Sequence, residues 1–172
     1  MSIILFFHIN PEVARAETRD VSIYPVDGIT PTATIPAGRY AFLEHYCIDP
    51  NCDCRRVLLA VLRQADRKVV AMISHGFDKP KPGSLPGEQT FLDPLNDQSE
   101  CAPEFLKLFL DRVLDPLYAS RLKRHYELAK AAGKDPNHPV HRVLRDSRRE
   151  HRPKPKRSDA RKRERRNRRR RR

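Results

Sequence analysis

Short apolar runs fill the first part of the chain, and helical spacing takes over in the rest. Residues 2–9 are apolar with β-branched and aromatic members, which predicts a buried strand stopped by Asn10-Pro11. Val21-Ser22-Ile23-Tyr24 alternates and ends at Pro25, and Asp27-Gly28 marks a turn. Residues 32–35 predict a short strand and residues 39–47 a longer one, with Tyr40, Phe42, His45 and Tyr46 as good strand formers. Residues 55–63 and 68–75 read as a hairpin closed around Ala65-Asp66. Residues 76–96 are rich in Pro and Gly and read as a loop, with Phe91-Leu92 as its anchor.

Helices follow. Ser99 is the expected cap of the first, with Pro103 near its start and Phe105, Leu106, Leu108, Phe109, Val113 and Leu114 at helical spacing. Asp115 caps a second that begins at Pro116, carries Leu117, Tyr118, Leu122, Tyr126, Leu128 and Ala129, and ends at Gly133. Asn137 caps a third, with Val140, Val143 and Leu144. Strands first and helices second predict an α+β fold: a mostly antiparallel sheet of about five or six strands, packed by two or three C-terminal helices.

Charge divides the chain differently. Fourteen of the 35 basic residues but two of the 22 acidic ones lie in residues 151–172, so 21 basic and 20 acidic residues remain upstream. Of the net +13, the tail therefore carries 14 − 2 = +12 and the first 150 residues 21 − 20 = +1. The expected organisation is a globular domain over residues 1–148 and a disordered arginine-rich tail over 149–172. No apolar run is long enough to span a bilayer and no signal peptide is evident, so the expectation is a cytoplasmic protein with no membrane partner.

Three of the four cysteines fall in Tyr46-Cys47-Ile48-Asp49-Pro50-Asn51-Cys52-Asp53-Cys54-Arg55-Arg56. The turn formers Asp49, Pro50 and Asn51 fold the chain back, so Cys47 and Cys52 can face one point. Cys52 and Cys54, two apart, share a face if extended. Clustered thiolates repel unless a cation holds them, and Zn2+ is the usual one. Buried small hydrophobes and a disulfide are the competing readings. A fourth ligand is required, from His75, His45, Asp49 or Cys101. His75 is preferred, because pairing Gln64 with Arg67 would set Arg56 opposite His75 and bring His75 to the face of Cys54, whereas a one-residue slip would take it away.

The stretch Y-C-I-D-P-N-C-D-C-R-R-V over residues 46–57 resembles an uncharacterised bacterial family. Phe91-Leu92-Asp93-Pro94-Leu95-Asn96-Asp97-Gln98-Ser99 and His125-Tyr126 resemble further signatures of it. The resemblance covers about residues 39–130 and implies metal binding by Cys47, Cys52 and Cys54. Many members of that family carry a SEC-C-type zinc module, C-P-C-G-S-G, which this sequence does not contain.

The tail cannot build a core. Arg161, Lys162, Arg163, Arg165, Arg166, Arg168, Arg169 and Arg170 suit phosphate, which guanidinium groups bind bidentately. With no aromatic residue there, association with RNA or ribosomes is expected to carry little sequence preference and to weaken with salt. A zinc-stabilised module held on RNA is the leading functional reading. The alternatives are a protein-interaction module using the loop 79–87 and a metal-dependent hydrolase with a zinc-bound water.

Overall fold

The computed structural model describes residues 2–24, 35–78 and 89–150, without the side chains of 148–150. In chain order the elements are β1 (Ile3–Leu5), a 3-10 turn (Phe6–His8), α1 (Pro11–Glu17), β2 (Arg19–Ile23), β3 (Gly38–Cys47), β4 (Arg56–Arg63), β5 (Lys68–Gly76) and β6 (Thr90–Leu92). Then come α2 (Ala102–Leu108) with a π-helical turn (Phe109–Val113), α3 (Pro116–Lys134) and α4 (Val140–Glu150). The fold is α+β, with a six-stranded antiparallel sheet in the N-terminal two thirds. None of the described helices is long and apolar enough to cross a membrane. The chain divides at His141/Arg142 into two units.

β3 organises the sheet. Its outer edge pairs with β1 over Cys47–His45 and with β2 over Phe42–Gly38, and its inner edge pairs with β4. Side chains alternate, so Tyr40, Phe42, Glu44 and Tyr46 share one face. That face takes the helices: Tyr40 meets Phe105 at 4.7 Å between ring centroids, Phe42 meets Phe109 at 5.9 Å and Tyr46 meets Tyr126 at 6.5 Å. Val57, Leu59, Val61, Ala71 and Ile73 complete it and are fully buried. Burying each large member stabilises the fold by roughly 1.5–3 kcal/mol.

Several boundaries differ from the sequence reading. The first strand stops at Leu5, because residues 6–18 leave the sheet edge as the 3-10 turn and α1. Asn10-Pro11 starts a helix instead of only ending a strand: the Asn10 carboxamide accepts from Val13 N–H and Pro11 occupies the first turn. Phe91-Leu92 belongs to β6, which pairs with β5. Ser99 does not cap α2; its hydroxyl donates to the Val70 carbonyl at 2.6 Å, and Cys101 holds the cap position. Asp115 caps α3 as expected, accepting from Tyr118 N–H at 2.7 Å. Gly133 sits inside the last turn of α3, not beyond it. Before α4 it is His138, not Asn137, whose side chain accepts from Val140 N–H. The expected strand over 32–35 falls outside the described residues except for Ile35, and residues 151–172 fall wholly outside them.

The hairpin carries the most consequential difference. Arg63 pairs with Lys68 and Leu62 with Val69, as the turn at Ala65-Asp66 requires. A β-bulge between Val61 and Leu62 then shifts the register, so Val61 pairs with Ala71, Val57 with His75 and Arg56 with Gly76. The expected pairing of Arg56 with His75 is thus displaced by one residue, and His75 changes face.

Candidate metal centre

β3 ends at Cys47, and the chain turns back at once. Cys52 N–H donates to the Asp49 carbonyl at 3.2 Å, and Asn51 N–H donates to Asp49 Oδ1 at 3.0 Å. The Asp-Pro-Asn turn thereby returns Cys52 and Cys54 to Cys47, and the three sulfurs all lie within 4.8 Å of one another. Three thiolates at zinc–sulfur bonds of about 2.3 Å in a tetrahedron stand about 3.8 Å apart, so a small closure suffices to hold an ion. Cys47 is buried while Cys52 and Cys54 are half-buried, so the trio is not simply a piece of apolar core. All four cysteines are free thiols.

The helix behind the loop fixes it. Lys130 on α3 donates through Nζ to the carbonyls of Asp49 and Cys52 at 2.8 and 2.9 Å. This lysine belongs to the site and not to a solvated face. One turn on, Gly133 lies against Ile48, where a β-carbon would stand 1.8 Å from the Ile48 oxygen. Glycine is what lets helix and loop approach so closely.

The thiols differ electrostatically. Hydrogen bonds from the Cys54 thiol and from Cys54 N–H, with Lys130 adding its charge, hold Cys52 below the usual thiol range. The main-chain bond spans 3.5 Å from Cys54 N to Cys52 Sγ. Burial, and hydrogen bonding to the other two sulfurs, push Cys54 up to about 12. Cys52 therefore ionises before Cys54 in the metal-free site, and a cation binding there must displace the Cys54 proton.

None of the candidate fourth ligands joins the close sulfur group. His75 shares the face of Tyr46, with its ring 5.8 Å from Phe109 and its Nδ1 2.8 Å from Thr90 Oγ1. Burial, then the charge of Arg56, lowers it to about 4. Cys47 ends β3 on the opposite face, and the structure does not bring His75 into the sulfur group. The His45 ring contacts the Leu43 carbonyl at 3.2 Å. Asp49 Oδ1 serves the turn, and Cys101 Sγ lies 3.1 Å from Ser99 Oγ. Among the described residues, the close donor group is Cys47, Cys52 and Cys54.

A second cluster lies in the interior. Glu44 Oε2 accepts from the Tyr46 hydroxyl at 2.7 Å and lies 2.6 Å from His125 Nδ1. His125 Nε2 lies 3.1 Å from Glu17 Oε2, and Glu17 also pairs with Arg124. Phe6 stacks on the His125 ring at 4.3 Å. Glu44 and His125 are 6% and 1% exposed, so their mutual pairing is what makes burial tolerable. The signals for this cluster are a lone acid on the apolar face of β3 and a histidine in the apolar stripe of α3; His125 enters the sequence analysis only through the family resemblance, and Glu44 not at all.

Comparison with protein-family models, with curated proteins and with solved structures gave no match.

Proposed function

We propose that this chain is a zinc protein in which Cys47, Cys52 and Cys54 hold the ion, and whose arginine-rich tail associates with RNA or ribosomes. The convergence of three sulfurs within 4.8 Å carries the first half. Thiolate donors favour zinc among the common divalent ions, and the cysteine-segment resemblance points the same way. The metal's role is structural. It ties the end of β3 to the loop that Lys130 and Gly133 seat on α3. Water in place of a fourth protein ligand would favour the hydrolytic alternative instead, and the coordination number of the zinc-loaded protein decides between the two.

The second half rests on composition: Arg161, Lys162, Arg163, Arg165, Arg166 and the run Arg168–Arg172 form a polycation with two acids among 22 residues. Such a segment binds phosphate backbones and releases counterions, so its grip falls steeply with salt.

Elemental analysis of gently purified protein tests the metal. About one zinc per chain is expected, lost in Cys52→Ser together with thermal stability; full stability and folding after chelation would overturn the reading. Co-purifying nucleic acid tests the tail. Deleting residues 151–172 should abolish RNA retention and leave the melting temperature unchanged.

A further inference from the structure

The outer edge of the sheet is interrupted. β1 pairs as far as Leu5 with His45, and β2 resumes at Arg19 with Phe42. Leu43 and Glu44 therefore face the excursion through the 3-10 turn and α1, not a strand. Ile48 N–H reaches Ser2 and Gln64 N–H reaches Arg39, so by alternation Glu44 turns its main-chain N–H and C=O toward this gap. A cavity of about 120 Å³ occupies it, lined by Leu5, Phe6, Phe7, Ala14, Thr18, Leu43, Glu44 and His125.

We propose that this cavity binds a small, uncharged, largely apolar molecule of about the size of one six-membered ring, carrying a single hydrogen-bond donor for Glu44. Size comes first. An engineered protein cavity of about 150 Å³ admits benzene, so this one takes a ring of similar bulk. Apolar character comes from Leu5, Phe6, Phe7, Ala14 and Leu43. The donor is assigned from Glu44: Tyr46 and His125 both use Oε2, which gives Oε1 to the ligand.

Charge decides the rest. The two contacts of His125, to Glu44 and to Glu17, need one proton each. Wherever those two protons sit, the three groups together carry one negative charge, and Arg124 on Glu17 cancels it. The floor of the cavity is electrically balanced, so an ion entering it would lose its hydration without gaining a partner charge. Both nitrogens of His125 are engaged, so the site is a receptor for a neutral donor, not an acid–base pair.

The probes are phenol, benzene, benzylamine and benzoate, titrated into the full chain at neutral pH and followed by NMR shifts of Leu43 and Ala14. Phenol should bind saturably, and benzene about tenfold or more weakly for want of a hydrogen bond to the Glu44 carboxyl oxygen. Benzylammonium and benzoate should not bind. Leu43→Phe and, from a different element, Ala14→Leu should each abolish phenol binding by filling the space. Absence of phenol binding, its persistence in either variant that folds, or equal binding of the charged probes would overturn the proposal. Zinc content and RNA retention are unaffected by any of these outcomes.

Discussion

Gly133 and Ile48 meet main chain to main chain: a β-carbon on the glycine would come within 1.8 Å of the isoleucine oxygen. In an ordinary exposed helix, Gly→Ala gains about 1 kcal/mol. Here the sign reverses, because the obstacle is backbone. Gly133→Ala should cost about 3 kcal/mol or more and loosen the cysteine loop with it. Urea midpoints, with zinc content measured on the same samples, check both effects.

The Glu44–His125 pair predicts non-additivity. His125→Phe preserves the stack on Phe6 but leaves a carboxylate buried alone, which costs about 3–5 kcal/mol. Adding Glu44→Leu removes the orphaned charge, so the double variant should be more stable than the sum of the single losses. Glu17→Gln, at the half-exposed end, should cost about 1 kcal/mol or less. A double-mutant cycle in urea measures these terms.

His75 makes stability depend on pH. Its folded pKa is lowered to about 4, below the ordinary value of about 6.5. Between these values the unfolded chain binds a proton that the folded chain does not. Stability therefore falls as pH drops through that window, by up to the order of 3 kcal/mol, and the contribution is fully present above about pH 6.5. Comparing wild type with His75→Gln at pH 7 and pH 5, in the presence of a chelator, should show a smaller loss in the variant.

Arg67 turns the hairpin with φ at 58°, the left-handed region where a β-carbon is unfavourable. Arg67→Gly should raise stability by up to about 1 kcal/mol. The Arg63–Asp66 pair, 2.7 Å apart, does not involve this side chain and should survive. The urea midpoint should rise with an unchanged slope.

The antiparallel sheet with its β4–β5 hairpin and the cysteine trio are legible because each follows from short-range rules. Alternation placed β3, β4 and β5. The Asp49-Pro50-Asn51 turn brought Cys52 back to Cys47. His75 went astray for a non-local reason: one bulge inside an otherwise regular hairpin reverses every facing that follows, and neither Val61 nor Leu62 announces it. The helix after Asn10 is readable from its cap and proline, a pair that equally well ends a strand. Lys130 and Gly133 depend on how α3 crosses the loop, and spacing along the chain does not encode that.

The interrupted edge also bears on self-association. A long bare strand invites another chain to add to it. Here β3 spans ten residues, but its outer side is shared between strands of three and five residues, and β6, three residues long, closes the far border. Among the described residues, none of these three border strands offers a run long enough to template a fibril, so this part of the fold resists strand-by-strand growth while keeping a long, well-paired strand inside.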